Sequence, residues 1–292
     1  MTPATLHSRP EETIRTLIED FVATATHNDL GLSVREKIWD RPLVGYAAGD
    51  DPLFETYVAH IGAFYLKPVD IFRRRFPDDE SAAARELAVI AWILPASAAT
   101  RAEQARSRRR PSKRWARTRQ LGEAFNEDLR RHVVDALAAA GVSAVAPMLA
   151  PFWQRVSEGP YAPCSNWSER HAAHAAGLGT FGLCDGLITP VGKAVRIGSV
   201  VAKLNLAPTP RPYRDHRAYC LFFSHGSCGR CIPRCPVGAL STDGHDKHKC
   251  MQYTEVGMNA VMRKRYGIDT YACGLCQADV PCVDHIPAPE EG

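Results

Sequence analysis

Apolar residues settle into helical spacing soon after the chain begins: Ile14, Leu17, Ile18, Phe21 and Val22 follow Glu11 and predict an amphipathic helix that serves as scaffold. From Gly31 to Phe54 the pattern breaks up around Arg41-Pro42, Gly45 and Gly49-Asp50-Asp51-Pro52, which predicts loop with short strands. Leu87 to Leu94 is a continuous apolar run holding Val89, Ile90, Trp92 and Ile93, the pattern of a strand covered on both faces, and Pro95 ends it. Leu121, Phe125, Leu129, Val133 and Leu137 predict a helix stopped by Gly141, and Val142 to Ala146 predict the next strand. Strand, helix, strand predicts an α/β domain.

Further on, Ser168 is placed to cap a helix through Glu169, Arg170, His171 and the small residues Ala172, Ala173, Ala175 and Ala176, with Gly177 as its stop. Leu187-Ile188-Thr189 and Val195 to Leu204 predict two strands joined by a hairpin turn at Pro190-Val191-Gly192-Lys193. A proline-rich linker, Ala207 to Tyr213, follows.

At 292 residues, 45% hydrophobic and with a formal charge of +4, the chain has the length and apolar content of one large or two ordinary folded domains. Disorder is not expected from this composition, and no membrane-spanning segment is expected: the charge-free apolar run Leu87 to Thr100 is interrupted by Pro95 and is shorter than the roughly 18 apolar residues a membrane helix needs. Met1 to Pro10 is polar and unlike a secretory leader, so a cytoplasmic protein is expected.

The ten cysteines change the picture more than the charge does: all lie at or after Cys164, and eight crowd into the C-terminal segment as Cys220, Cys228, Cys231, Cys235, Cys250, Cys273, Cys276 and Cys282. A disulfide framework belongs to small secreted chains, so metal binding is the expectation. Cys228-x2-Cys231-x3-Cys235-Pro236 reproduces the end of the bacterial ferredoxin run, in which the last cysteine serves the other cluster of a pair. Crossing the ligands in that way puts Cys220, Cys228, Cys231 and Cys282 on one 4Fe-4S cluster and Cys235, Cys250, Cys273 and Cys276 on the other. The standard run would place its first cysteine at His225, so the fourth ligand of the first cluster is Cys220, reaching in from a longer loop, or His225 itself, with Cys220 preferred. A zinc ribbon built on 228/231 and 273/276 is the rival, but it leaves the other four cysteines without a role.

Three signals carry less. Gly177-Leu178-Gly179-Thr180-Phe181-Gly182 matches G-x-G-x-x-G but follows a predicted helix and leads to a strand, the reverse of the dinucleotide-binding order. Arg101 to Arg119 holds nine basic residues against one glutamate, a solvated loop and helix start or an attraction for a phosphate-bearing or protein partner. His171 and His174, three apart on the predicted helix, read as packing residues rather than metal ligands, and Cys164 and Cys184 as buried thiols.

Taken in order, Ser168-Glu169-Arg170, Ala176-Gly177-Leu178-Gly179 with Gly182, Leu187-Ile188-Thr189-Pro190, Cys228 to Pro236, Lys249-Cys250-Met251-Gln252-Tyr253 and Tyr271-Ala272-Cys273-Gly274-Leu275-Cys276-Gln277 resemble the epoxyqueuosine reductases and the related cobalamin-dependent reductive dehalogenases, over roughly Arg85 to the end. Trp115-Ala116 with Arg119 and Asn126 looks like the family's helix bordering the corrinoid. The resemblance implies a cobalamin-reductase-like α/β domain (1–206) followed by a ferredoxin-like domain with two 4Fe-4S clusters (207–292). It implies an iron-sulfur oxidoreductase in which an external low-potential donor feeds the clusters, and these feed a cobalamin that reduces a small-molecule or nucleoside substrate. By the same analogy Arg119, Asn126, Gly177, Gly179, Gly182, Leu187 and Gly198 lie against the corrin ring. The aspartate that donates the proton in epoxyqueuosine reductases falls at Pro163 here, so Tyr161 and Cys164 become the candidate proton donors. That departure keeps two alternatives open: an electron-transfer or corrinoid-carrier protein without turnover of its own, and a tRNA-modifying epoxyqueuosine reductase.

Overall fold

The computed structural model describes residues 3–159 and 161–289. The chain opens with helices α1 (Pro3–Ser8) and α2 (Pro10–Thr24), then β1 (Leu43–Ala48), α3 (Leu53–Ile61), α4 (Pro68–Arg75), β2 (Ala88–Pro95), α5 (Ala98–Ala105), α6 (Lys113–Ala139) and β3 (Ala144–Val145). Short elements follow: β4 (Arg155–Val156), β5 (Cys164–Ser165), α7 (Glu169–Ala175), β6 (Thr180–Phe181) and β7 (Leu187–Ile188), before the long β8 (Val195–Ala202). Residues 203–220 carry neither helix nor strand. Beyond them lie α8 (Leu221–Ser224), β9 (Leu240–Ser241), β10 (Gly244–His245), α9 (Lys247–Met251), a π-helical stretch at Gln252–Gly257 and α10 (Met258–Tyr266).

The main sheet has the order β1-β2-β8-β3, and every neighbouring pair is antiparallel. The fold is mixed α/β, yet its sheet is not the parallel one that alternating strands and helices usually build. β2 is buried along its whole length because both faces of the sheet are covered. Tyr46, Ile90, Trp92, Leu94 and Val200 face α2 and α6, where they meet Ile14, Ile18, Phe125, Leu129 and Val133. Ala47, Val89, Ala91, Ile93 and Val201 face the other way, against Phe54, Tyr57, Ile71, Phe72 and the alanines of α7. Alternation along the strand thus produces two cores, and apolar residues at every position are what a doubly covered strand requires.

Helix α6 begins eight residues before its apolar stripe, because the Ser112 side chain accepts the Trp115 backbone N–H at 3.2 Å and caps it. Gly141, at φ +81°, follows its end. At α7 Ser168 stands at the N-cap position without a side-chain bond to the helix backbone, and its Oγ instead lies 2.8 Å from the His171 ring.

One expected pairing is different. Leu187–Ile188 and Val195–Ala202 are both strands, but they do not form a hairpin: β7 pairs with β6, while β8 lies between β2 and β3. The turn between them does close on itself, with Thr189 and Gly192 bridged, and Gly192 at φ +79° comes so close to the backbone of Val283 and Asp284 that a Cβ has no room. Tertiary contact with the C-terminal segment therefore takes over where local hairpin geometry would have set the register.

Candidate functional site: two thiol groups bridged by a buried lysine

Cys220, Cys228, Cys231 and Cys282 line one cavity together with Gly182, Leu183, Ile188 and Lys193. Cys220 precedes α8, the tight turns at Gly229–Ile232 and Ile232–Cys235 present Cys228 and Cys231, and Cys282 is strapped in by its carbonyl, which accepts the Lys193 N–H at 2.9 Å. His225 is exposed, its ring 2.8 Å from Ser224 Oγ, on an outer cleft beside Cys228. Of the two candidates for the fourth ligand, Cys220 shares the cavity and His225 does not. Leu183, Ile188, Leu240 and Val280 form an apolar shell, and burial pushes the Cys231 thiol up to about 12.

The other four thiols belong to different elements. The Asp246 side chain accepts the Lys249 N–H at 2.9 Å and starts α9, which carries Cys250. Cys235 Sγ accepts the Ala239 N–H at 3.1 Å. The Cys273 carbonyl accepts Gln104 Nε2 from the end of α5 at 2.7 Å, and Gly274, at φ +63°, lets the chain turn directly against the Trp115 indole of α6. Burial raises Cys273 to about 11, with Cys250 and Cys235 acting on it in the same direction. Cys276 is half-buried and hydrogen-bonded to Cys184. Among the described residues no three His, Cys, Asp or Glu groups converge tightly enough to hold a single metal ion. A cubane instead takes each of four thiolates on a different iron.

Sequence reasoning missed the group between these sets. Lys193 is 3% exposed, and its Nζ donates to Cys184 Sγ at 3.2 Å and is also hydrogen-bonded to Cys282. Burial works against its ammonium, but the Cys184, Cys282, Cys276 and Cys231 thiols around it hold its pKa above the usual lysine range. The bond with Cys276, opposed by burial and helped by Lys193, draws the Cys184 thiol well below its usual range. A lysine inside the proposed turn and a cysteine outside the ferredoxin spacing gave no signal of this partnership.

The candidate proton donors sit beside a second polar constellation. The Tyr161 ring packs at a tilt against His60, centroids 4.4 Å apart, its carbonyl accepts Lys247 Nζ at 3.0 Å, and the residue is 38% exposed. Cys164, in β5, is half-buried, and desolvation raises its thiol while Lys247 opposes the rise. From the same short segment His245 contacts Asp185 at 2.9 Å and bonds to Cys250, so residues 245–250 link the second thiol group to the neighbourhood of Tyr161. His171 and His174 act in packing: His174 lies 2.8 Å from the Gly179 carbonyl and stacks on Tyr213, and burial lowers the pKa of both.

The residues assigned to a corrin face are engaged elsewhere. Asn126 Oδ1 accepts Trp92 Nε1 at 2.8 Å and its amide donates to the Ile197 carbonyl at 2.9 Å, while the Trp92 indole occupies the space that Gly198 leaves open. Arg119 stacks over Tyr271 at 4.7 Å, Gly177 lies against Pro210, and Gly179 against the Ile188 carbonyl. Leu187 is a core residue, and Gly182 lines the thiol cavity. As packed, this set does not fit a flat macrocycle. The basic stretch is likewise divided: Arg114 pairs with Glu36 and Glu103, Arg117 bonds the Leu30 and Gly31 carbonyls, and Arg101 pairs with Asp40. Arg106, Arg108, Arg109, Arg110 and Lys113 are exposed.

No family model matches the chain. Over 119 residues, 39% of its length, it is 32% identical to an epoxyqueuosine reductase from Bacillus anthracis. Over that segment the chain is similar to an epoxyqueuosine reductase. The match spans 29% of that relative's own length. Among solved structures, a catabolic reductive dehalogenase in complex with 3-bromo-4-hydroxybenzoic acid aligns with 95% of this chain and 37% of its own, at 15% identity and TM-score 0.50, which shows a shared fold. Epoxyqueuosine reductase from Streptococcus thermophilus aligns with 93% of this chain and 67% of its own, at 16% identity and TM-score 0.45. Among the described residues no helix is long and apolar enough to cross a membrane.

Proposed function

We propose that this chain is an epoxyqueuosine reductase-like iron-sulfur oxidoreductase with two 4Fe-4S clusters. The observation that carries the reading is the cavity shared by Cys220, Cys228, Cys231 and Cys282, three thiols of one segment joined by a fourth from some fifty residues on, around one apolar space. Cys235, Cys250, Cys273 and Cys276 would hold the second cluster. When bound, such clusters supply one-electron transfer at low potential. The chain's own residues do the rest: Leu183, Ile188, Leu240 and Val280 exclude water from the first set, and Lys193 supplies positive charge between the sets. Toward the substrate side, the Tyr161 phenol would hold a proton beside His60, with Lys247 fixing the backbone at Tyr161. A phosphate-bearing or acidic partner would meet Arg106, Arg108, Arg109, Arg110 and Lys113, and the Arg108→Glu/Arg109→Glu/Arg110→Glu variant should abolish any salt-dependent retention of tRNA or of an acidic donor.

A second reading, an electron-transfer protein without a corrinoid, is favoured by the engagement of Asn126 and Gly198 with Trp92. Metal analysis of protein purified without oxygen after growth with cobalamin tests both. About eight irons per chain are expected from two clusters; iron-free protein removes the oxidoreductase reading. About one cobalt per chain would overturn the second reading.

A further inference from the structure

A buried ammonium needs a buried counter-charge, because its desolvation is otherwise uncompensated. Lys193 is 3% exposed, and among the described residues no carboxylate lies within ion-pair distance of it. Its Nζ donates to Cys184 Sγ at 3.2 Å, and the Cys184, Cys282, Cys276 and Cys231 thiols are the groups that favour its charge. These thiols come from both proposed ligand sets. Lys193 is hydrogen-bonded to Cys282 of the first set and to Cys184 at 3.2 Å, and Cys184 is hydrogen-bonded to Cys276 of the second. A continuous bridge therefore runs Cys282, Lys193, Cys184, Cys276.

The backbone holds this bridge firmly. Lys193 N–H donates to the Cys282 carbonyl at 2.9 Å, Ala194 N–H to the Val283 carbonyl at 3.3 Å, and Gly192 is pressed against Asp284. The turn that separates β7 from β8 thus delivers one cation between the two sets.

We propose that Lys193 is a positioning charge shared by both clusters, which sets their reduction potentials together, with Cys184 carrying its influence to the second set. This rests on the two-cluster reading above. Reduction adds negative charge to a cluster, and a fixed cation hydrogen-bonded to its sulfurs stabilises that state, so the potential rises with Lys193 in place. Cys184, outside both ligand sets, fixes the ammonium toward Cys276 rather than leaving it wholly on Cys282.

The test is a potentiometric titration followed by electron paramagnetic resonance on anaerobically prepared protein, with iron and sulfide counted in the same samples. Lys193→Met should keep its iron, while at a fixed poise the reduced-to-oxidised ratio of both clusters falls about tenfold, equivalent to about 59 mV for a one-electron couple. Lys193→Arg should restore most of the ratio. Cys184→Ala, which keeps the cation but cuts its link to Cys276, should lower the ratio of the second cluster more than that of the first. Midpoints unmoved in iron-replete Lys193→Met overturn the proposal. Loss of iron from Lys193→Met also overturns it, making the lysine a structural element. A wild-type protein without iron fails the two-cluster reading instead, so the iron count keeps the two failures apart.

Discussion

In the sheet core Trp92 is enclosed by other side chains and its one polar atom is met by Asn126 at 2.8 Å, whereas Cys231, also buried, is surrounded by thiols, a lysine and tight turns. The core around β2 and α6 is filled by its own apolar side chains. The thiol region is built from elements of two to nine residues, and burial pushes two of its thiols up, Cys231 to about 12 and Cys273 to about 11. Bound iron would remove the thiol protons, and the binding energy would become folding energy for that region alone. The difference teaches that one part of this chain is stabilised by packing and the other is arranged for ligation.

The largest effect that sharpens the contrast is iron removal. Chelated, oxygen-exposed protein should lose amide protection across 220–282 while β1, β2 and β8 keep theirs, as read by hydrogen exchange; equal loss in both regions would mean they do not differ. Next is Trp92→Ala, which empties the space between Gly198 and Asn126 and should cost about 3–5 kcal/mol in a denaturant titration, with iron content unchanged below the transition. A parallel loss of iron at low denaturant would tie the clusters to the sheet core after all.

The smallest effect concerns Glu123 on α6, which has Arg196 at 3.1 Å, Arg130 at 3.2 Å and Arg119 at 3.6 Å. Burial opposes ionisation there, but the three guanidiniums hold the carboxyl below the usual glutamate range. A depressed carboxylate contributes stability that is present above its unfolded pKa and lost as pH falls through the folded one. Glu123→Gln should therefore be less stable at neutral pH by about 1.5–3 kcal/mol and show a shallower loss below pH 4.5. An acid limb identical to wild type would assign the acid sensitivity to other groups.

Much of the scaffold was legible in the residues themselves. Ile14, Ile18 and Val22 mark the buried face of α2, the unbroken run at Leu87 to Leu94 marks a doubly covered strand, and Gly141 marks the end of α6. Those signals are local, since spacing and turn chemistry act over a few residues. The start of α6 was obscured because its first two turns are mostly basic and only Ser112 announces them.

The order of the cysteines in the sequence determined which thiols are candidates for two clusters, because a short loop can present only the ligands it contains. Only the tertiary structure decided that Cys220 rather than His225 shares the cavity, that β7 and β8 part company instead of forming a hairpin, and that Asn126 and Gly198 serve Trp92. It alone also brought Lys193 and Cys184 between the two sets. Each of those outcomes depends on segments far apart in the chain meeting in space, and neither periodicity nor spacing carries that information.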